Sequence, residues 1–161
     1  MKAISIQPLT RAAFAPFGEV IERDGAAHFP INAGKCMRYH DLATVETAGQ
    51  AARVLISLLR GEPYALPLTL DMVERHPLGS QAFIPLSGNG FLVVVAEETE
   101  HGPAAPLAFR TAPGQGVNIR RNVWHGILTP LDTVTDFVVV DRGGDGVNLE
   151  EHFYPAPFRI G

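Results

Sequence analysis

Proline and glycine divide this chain into short segments, and this division limits the structures that it can form. Its 161 residues include 13 prolines and 16 glycines. Proline ends helices and is excluded from central strands, and glycine weakens both kinds of element. The segments between them favour β-branched residues or alternate between polar and apolar side chains, with almost no helical period. The pattern predicts an all-β protein with many turns.

The size, charge and cysteine content of the chain exclude several classes of protein. A chain of 161 residues is long enough to bury an ordinary core, so we expect one domain spanning residues 1–161. The 13 basic and 17 acidic residues give a formal net charge of -4, and no long basic run attracts nucleic acid or an anionic membrane. Cys36 is the only cysteine, which excludes an intramolecular disulfide and is typical of a reducing compartment.

The N-terminal sequence and the apolar runs predict neither export nor a membrane span. Residues 1–8 alternate between polar and apolar side chains from the start and lack the apolar centre of a signal peptide. No later apolar run approaches the roughly 20 residues that a membrane-spanning helix needs. We therefore expect a cytoplasmic protein.

Strand-like runs recur along the chain with turn residues between them. The expected strands are residues 2–7, 19–22, 37–41, 53–60, 74–76, 81–85, 90–96, 107–111, 117–119, 123–128 and 133–141, the last being the final long strand. Thr10 is placed to cap a single helical turn through Phe14, and residues 24–34 are expected to form a surface loop. Residues 53–60 are largely apolar, which predicts a buried strand. So many short strands are typical of a sandwich or barrel.

One polar stretch in the middle of the chain combines several groups that can carry chemistry. If the residues before Pro77 form a strand, Glu74 and His76 project from the same face, because side chains in a strand alternate sides. Arg75 then points the other way. A turn at residues 77–80 returns the chain to a strand that begins with Gln81, so we expect Gln81 to face the other two from a neighbouring strand.

This stretch and a second one near Trp124 resemble the two motifs of the cupin β-barrels. The first cupin motif runs His-x-His with a Glu five residues later, and here those positions hold Glu74, His76 and Gln81. The second motif, Pro-x-Gly-x-x-His, is matched at its end by His125, with Asn122 in the glycine position. The resemblance implies a cupin-like jelly-roll β-barrel with minor short helices, in which both stretches meet at the barrel mouth.

The same resemblance raises the question of a metal ion, since cupins hold one with three histidines and a carboxylate. In this chain the corresponding set is Glu74, His76, Gln81 and His125. Two imidazoles and a carboxylate can bind a first-row divalent ion, and an amide oxygen is a weak fourth ligand. In the alternative interpretation, His76 and His125 form hydrogen bonds within a polar barrel mouth and hold no metal.

Further groups of residues, spread over nearly the whole chain, resemble those of one enzyme family. They are Pro8-Leu9-Thr10, Phe14-Ala15-Pro16-Phe17-Gly18, Arg38-Tyr39-His40-Asp41, residues 74–85, Gly116-Val117-Asn118, Arg121-Asn122-Val123-Trp124-His125, Asp136-Phe137 and Asp141-Arg142-Gly143-Gly144. The pattern is similar to that of the ureidoglycolate lyases, which end allantoin breakdown by splitting ureidoglycolate into glyoxylate and urea. The resemblance implies that activity, a homodimer, and nickel (Ni²⁺) as the cofactor.

Cleavage of ureidoglycolate requires one base and one acid, because a hydroxyl loses its proton as the departing urea nitrogen gains one. Glu74 or His76 is the expected base, and His125 is the expected acid. Alternatively, a metal ion on Glu74, His76 and His125 binds the hydroxyl and the carboxylate of the substrate as a Lewis acid. The sequence leaves both mechanisms open.

Arginine is the best partner for the substrate carboxylate, because its guanidinium binds carboxylates in a bidentate manner. The expected substrate-binding residues are Arg38, Tyr39, His40, Gln81, Arg121, Asn122 and Arg142. The amide groups of Gln81 and Asn122 suit the urea end. The Arg38-Tyr39-His40 segment can complete the site from its own strand or across a dimer interface. A surface or interface role is the alternative for that segment, and a structural hydrogen bond is the alternative for Gln81 and Asn122.

Two other functions are compatible with these residues. A hydrolase acting on the urea amide of the same substrate would release ammonia and carbon dioxide in place of urea. A cupin-like barrel without catalytic activity would bind a small acid and act as a sensor. The products released from ureidoglycolate distinguish the three functions.

Overall fold

The computed structural model describes all 161 residues, and nearly every regular element in it is a strand. The strands are β1 (Lys2–Ile4), β2 (Ile6–Pro8), β3 (Gly18–Ile21), β4 (His28–Ile31), β5 (Cys36–Tyr39), β6 (Arg53–Gly61), β7 (Leu68–Arg75), β8 (Gln81–Pro85), β9 (Phe91–Ala96), β10 (Glu98–Thr99), β11 (Gly102–Pro103), β12 (Leu107–Arg110), β13 (Gly116–Ile119), β14 (Trp124–His125), β15 (Thr129–Pro130), β16 (Thr135–Gly143) and β17 (Glu150–Ile160). The one helix, α1 (Arg11–Phe14), begins after Thr10, whose hydroxyl accepts a hydrogen bond from the amide of Ala13 at 3.2 Å. The predicted helical turn and its cap are thereby confirmed. At four residues this helix is too short to cross a membrane.

The strands form two main sheets. The larger sheet has the order β1-β17-β7-β14-β9-β12-β2, with β15 also paired to β9, and the smaller has the order β3-β13-β8-β16-β6. Two further pairs, β10 with β11 and β4 with β5, form separate two-stranded ribbons. Most neighbouring strands come from distant parts of the sequence, as in other sandwiches and barrels.

The first eight residues connect the two edges of the larger sheet. β1 lies parallel to β17, β2 lies parallel to β12, and only Ser5 separates β1 from β2. Because β17 and β12 lie towards opposite ends of the strand order, this single segment brings the edges together. The larger sheet is therefore nearly closed, and the prediction of an all-β, cupin-like barrel is confirmed.

Strand β9 separates two apolar cores and contributes to both. Phe91, Val93 and Val95 point between the two sheets and pack against side chains from the smaller sheet, including Phe137 and Val117. The alternate residues of β9 point to the other side, where they join a second core within the curl of the larger sheet. All six residues of β9 are buried, which agrees with the apolar run that predicted this strand.

Residues 53–60 form a strand as predicted, but the prediction that this strand is buried is wrong. The strand exists as β6, but it lies at the edge of the smaller sheet and pairs only with β16. Ile56 is 77% exposed and Leu58 is 73% exposed. The run is apolar on both faces, and a sequence pattern cannot show that no other part of the chain covers the outer face.

The predicted strand boundaries need further corrections: β7 begins at Leu68 and not at residue 74, and only Trp124–His125 of the predicted strand at residues 123–128 form a strand. The predicted loop at residues 24–34 contains β4, which pairs with β5 in a hairpin; we call residues 27–40 the arm. The predicted strand at residues 2–7 is two strands, β1 and β2. The segment after the predicted final long strand holds β17, whose prolines and register shift between Phe153 and Phe158 remove the alternation that marks a strand.

Candidate active site

Strands β7 and β14 bring three of the predicted catalytic residues together. Glu74 on β7 pairs in register with His125 on β14, and His76 directly follows the end of β7. The possible ligand atoms of these three side chains all lie within 4.8 Å of one another. The Nε2 atom of His76 is 3.9 Å from Oε1 of Glu74, and the two imidazole rings are 5.1 Å apart between centroids.

The hydrogen bonds of the two imidazoles define which ring nitrogen is free. Nδ1 of His76 lies 2.7 Å from the carbonyl oxygen of Asn148, and Nδ1 of His125 lies 3.0 Å from that of Gly126. A carbonyl only accepts hydrogen bonds, so each Nδ1 carries a hydrogen, and in the uncharged form of either ring Nε2 then carries the lone pair. Both Nε2 atoms are buried and have no hydrogen-bond partner in the protein. Buried polar atoms without partners are rare, which makes this point a candidate binding site.

Burial also sets the charges of the site. The loss of hydration on burial lowers the pKa of His125 to about 4, with a smaller contribution from the nearby His76, and the hydrogen bond to Gly126 opposes this shift. Partial burial raises the pKa of Glu74, whereas His76 acts in the opposite direction. At neutral pH, His125 is therefore an uncharged acceptor.

The turn at residues 77–80 does not lead to a neighbouring strand, and this part of the prediction is wrong. β7 belongs to the larger sheet and β8 to the smaller one, so the turn crosses between the sheets. Gln81 pairs with Ile119 and lies on the same side of β8 as the buried Phe83. Its Oε1 atom is buried and has no partner. Gln81 thus points between the sheets, the side to which His125 also belongs through its pairing with the core residue Val95.

Arg75 points away from Glu74 and His76 and is fully engaged on the other side of the sheet, the side of Trp124 and the second core. Its guanidinium binds the carboxylate of Glu150 at 2.6 Å and that of Glu98. It also stacks 4.3 Å from the ring centroid of Trp124. The indole nitrogen of Trp124 donates to Glu98 at 2.8 Å. These contacts explain why Arg75 does not contribute to the side that carries Glu74 and His76.

Arg121 and Asn122 lie in the turn between β13 and β14, directly beside His76. Asn122 has a φ of +66°, and its main-chain N–H donates to the carbonyl oxygen of His76 at 2.9 Å. The amide of Arg121 donates to the Glu46 carboxylate at 3.3 Å, while its exposed guanidinium forms no ion pair. Both side chains therefore remain free to bind a ligand at the edge of the site.

Arg142 has a different environment from that of Arg121. Its side chain is 7% exposed and donates to the carbonyl oxygens of Ala48, Gln50 and Asp145 at 2.8, 3.3 and 2.7 Å. No bond joins it to Glu74, His76 or His125. Its predicted role in substrate binding stays a prediction, but its observed partners are all main-chain atoms.

The sequence matches the ureidoglycolate lyase family over residues 1–161. The chain belongs to this family. Ureidoglycolate lyase 2 of Rhizobium meliloti (strain 1021) is 66% identical over 99% of this chain and 98% of its own. The ureidoglycolate lyase of Mesorhizobium japonicum is 62% identical over 99% and 98%.

More distant matches complete the comparison. The ureidoglycolate lyase of Brucella ovis is 54% identical, covering 96% of this chain and 91% of its own length. Among solved structures, a dTDP sugar isomerase from Desulfovibrio desulfuricans G20 matches with a TM-score of 0.46 and 16% identity over 87% of this chain and 86% of that chain. This last likeness is too weak to support any statement about function.

One predicted segment of this family member does not join the cluster within the chain. Arg38, Tyr39 and His40 lie on the arm, where Arg38 and His40 are exposed. The ring of His40 contacts Phe29, and the ring of Tyr39 contacts His28, both at 5.6 Å between centroids. These neighbours all belong to the arm itself, so the arm brings no side chain to Glu74 by a hydrogen bond.

Sequence reasoning missed Asn148, which contacts the site residues directly. Its carbonyl oxygen accepts from His76, and its side-chain Oδ1 accepts from the amide of Leu78 at 2.8 Å. It lies in the segment between β16 and β17, which carries no motif. A carbonyl acceptor has no sequence signature, since every residue supplies one; only the Gly-rich run at residues 143–146 indicates that the chain bends there.

Proposed function

We propose that this protein is a lyase that cleaves ureidoglycolate into glyoxylate and urea. The observation that carries the proposal is the pair of buried, partnerless Nε2 atoms of His76 and His125 beside the carboxylate of Glu74. Membership of the ureidoglycolate lyase family and the names of the relatives support the choice of substrate. The substrate is therefore a small molecule. In the reaction a proton passes from the hydroxyl group to the urea nitrogen, and both groups are attached to the same carbon atom.

The chemistry of the substrate defines what the residues must do. One carbon of ureidoglycolate carries both a hydroxyl group and a urea nitrogen. The O–H bond breaks as the C=O bond of glyoxylate forms, and the electron pair of the C–N bond leaves with the urea nitrogen, which gains a proton. Neither water nor an oxidant is consumed. Groups that accept one proton and return it are sufficient.

We assign the proton transfer to the carboxylate of Glu74. Its oxygen lies 3.9 Å from Nε2 of His76, so it stands within the site and not at its edge. A proton taken from the substrate hydroxyl can be held on this carboxyl group and passed to the departing nitrogen. His125 carries no hydrogen on Nε2 near neutral pH, so it suits the role of acceptor or ligand better than that of the acid.

A divalent metal ion fits the same residues. First-row divalent ions bind neutral imidazoles and carboxylates, and metal-bound histidines give their second N–H to a carbonyl or carboxylate, as His76 and His125 do here. Nε2 of His76, Nε2 of His125 and one oxygen of Glu74 would hold the ion, with Oε1 of Gln81 as a fourth ligand, and the family resemblance favours Ni²⁺. The second oxygen of Glu74 keeps the role in proton transfer. When bound, the ion supplies Lewis-acid stabilisation of the substrate oxygen.

We assign the substrate carboxylate to Arg121. Its guanidinium is exposed and unpaired, and the turn that carries it is bonded to His76. Asn122 in the same turn offers an amide to the urea group. Arg38 is the second candidate for the carboxylate, since it also forms no ion pair.

We further propose that two copies form a homodimer through the outer side of β6. Val54, Ile56 and Leu58 on this side are 52%, 77% and 73% exposed. An exposed apolar edge strand of nine residues is prone to pair with another chain. A second copy is the proposed partner, because in a two-fold symmetric dimer the same apolar strand of each subunit packs against that of the other.

The arm supports the same assembly. An isolated two-stranded hairpin is marginally stable in water, yet Phe29 and Met37 of the arm are 43% and 46% exposed. Contact with a second copy would cover them and place Arg38, Tyr39 and His40 at the interface. Cys36 in the arm is an exposed free thiol, which supports a location in the reducing cytoplasm.

The experiment that tests the proposed function is a product assay with the purified protein and racemic ureidoglycolate. We expect glyoxylate and urea in equal amounts. Ammonia in place of urea would assign the protein as a hydrolase, and saturable glyoxylate binding without any product would assign a binding barrel. Chelation should abolish turnover and Ni²⁺ should restore it; full activity after complete metal removal would contradict the metal site.

A further inference from the structure

The loop between β16 and β17 ends against His76. The main-chain carbonyl oxygen of Asn148 in this loop accepts a hydrogen bond from Nδ1 of His76 at 2.7 Å. Its side-chain Oδ1 accepts a hydrogen bond from the main-chain N–H of Leu78 at 2.8 Å. One residue thus holds both the imidazole and the main chain that follows it. The orientation of His76 therefore depends on the position of this loop.

Arg142 fixes that position from inside the protein. Its Nη2 donates to the carbonyl oxygen of Asp145 in the loop and to that of Gln50, while its Nε donates to Ala48. The amide of Asp145 also donates to the Gln50 carbonyl at 3.0 Å. The guanidinium thus ties the loop to residues 48–50.

The segment at residues 46–50 is itself bonded to the turn after His76. The amide of Ala48 donates to the carbonyl oxygen of Leu78 at 2.8 Å, and Thr47 pairs with Gly79. Arg142 therefore links two segments that contact the turn after His76, one through Asn148 and the other through Leu78. A displacement of Arg142 would move both.

We infer that Arg142 and Asn148 are positioning residues for His76. Arg142 holds the loop, and the carbonyl of Asn148 keeps the hydrogen of His76 on Nδ1, so that Nε2 faces Glu74 and His125. Such outer partners of a functional histidine fix its tautomer and its ring orientation. The catalytic meaning of this inference depends on the proposed function, because it requires His76 to act in that site.

The contacts of Arg142 also argue against a direct role in binding the substrate. Bidentate binding of a carboxylate needs two N–H groups on one side of the guanidinium. The side formed by Nε and Nη2 is occupied by three carbonyl oxygens, and Nη2 already makes two bonds. Only Nη1 has no bond, and it offers no bidentate pair by itself.

The test separates positioning from binding by steady-state kinetics. Arg142→Lys weakens the hold on the loop, and Asn148→Ala keeps the main-chain carbonyl but removes the Oδ1 bond to the Leu78 amide that fixes where this carbonyl lies. In both variants we expect kcat to fall by about tenfold to a hundredfold, the usual effect of disturbing such a partner, with KM within about twofold of the wild type. A tenfold rise in KM for Arg142→Lys with an unchanged kcat would overturn the inference. Arg121→Ala serves as the contrast, with the rise expected in KM, and Arg159→Lys at an exposed position serves as the matched control.

A second readout does not depend on activity or on a bound metal. Imidazole ¹⁵N shifts in the metal-free protein, with the His76 signals assigned by their loss in His76→Gln, should show hydrogen on Nδ1 in the wild type. In Asn148→Ala we expect a mixture of tautomers, because the carbonyl of residue 148 remains but is no longer held in place by the bond between Oδ1 and the Leu78 amide. An unchanged His76 spectrum in that variant would contradict the inference even if the protein proved not to be a lyase. If Arg142→Lys fails to fold, Asn148→Ala alone decides.

Discussion

At the scale of single residues, His125 shows how burial sets the chemistry of a side chain. It is 1% exposed, and its Nδ1 is bonded to the carbonyl of Gly126. An imidazolium at this position would lose its hydration and lie close to His76, so the pKa falls to about 4. The neutral ring keeps its lone pair on Nε2, as a metal ligand or a proton acceptor must.

This shift predicts a measurable dependence of stability on pH. In the unfolded chain His125 has a pKa near 6.5, so between pH 6.5 and 4 the unfolded chain binds more protons than the folded protein. The stabilisation from keeping His125 neutral is complete above pH 6.5 and is lost as the pH falls towards 4. The loss amounts to about 3 kcal/mol, at about 1.4 kcal/mol for each pKa unit.

Chemical denaturation of the metal-free protein between pH 7.5 and pH 4 measures this dependence. His125→Gln is the matched variant, because glutamine is uncharged over the whole range. We expect its free energy of unfolding to change less with pH than that of the wild type. Parallel curves for the two proteins would show that His125 does not titrate as its burial implies.

The histidines also give the most direct prediction for activity. We expect His76→Ala and His125→Ala each to reduce kcat by a hundredfold or more, because each removes one of the two free Nε2 atoms. His101→Ala, an exposed histidine on the β10–β11 ribbon, should keep full activity. The readout is the initial rate of glyoxylate formation, and near-normal rates in both site variants would refute the assignment.

At the scale of elements, β7 and β14 act as a pair with two different sides. One side, between the two sheets, carries Glu74 and His125, and the other, towards the second core, carries Arg75 stacked on Trp124. The alternation of a strand thus separates the reactive groups from the ion pairs that hold the strands together. The sequence predicts this division locally, because it follows from the period of two.

The outer side of β6 gives a prediction for assembly. We expect Leu58→Asp to raise the dissociation constant of the homodimer by at least tenfold, because a buried carboxylate without a partner is costly at an interface. Sedimentation velocity over a range of concentrations measures this constant. Val147→Asp is the matched control, since Val147 is 78% exposed and lies outside β6. A wild-type protein that stays monomeric at every concentration would disprove the interface.

At the scale of the whole molecule, β9 joins the two apolar cores. One core is enclosed between the sheets and the other within the curl of the larger sheet, and alternate residues of β9 fill each. Neither core can be lost without removing the support of the other. The two sheets should therefore unfold together.

Substitutions in the two cores test this cooperativity. Phe137 belongs to the core between the sheets and Leu92 to the second core, and they are 0% and 2% exposed. Phe137→Ala should cost about 3–5 kcal/mol and Leu92→Ala about 2–5 kcal/mol. Both should shift one common thermal transition in calorimetry, and Val147→Ala should not. Two separate transitions would mean that the cores unfold independently.

The sequence by itself determined most of the strands, the all-β class and the residues that could carry chemistry. These depend on local properties: proline and glycine stop the elements, alternation assigns the faces, and the spacing of Glu74 and His76 places them on one side. The family resemblance added a specific substrate to that reading. None of these inferences requires knowledge of which strands are neighbours.

Only the tertiary structure decided how distant segments meet. Gln81 lies on the opposite sheet and points between the two sheets, β6 lies uncovered at an edge, and Arg142 bonds to main-chain carbonyls instead of presenting its guanidinium. Asn148 meets His76 across 72 positions of sequence. Every residue has a carbonyl oxygen and every strand has two edges. Packing of the whole chain decides which carbonyl accepts a given hydrogen bond and which edge is covered, and a local sequence pattern holds no information on that packing.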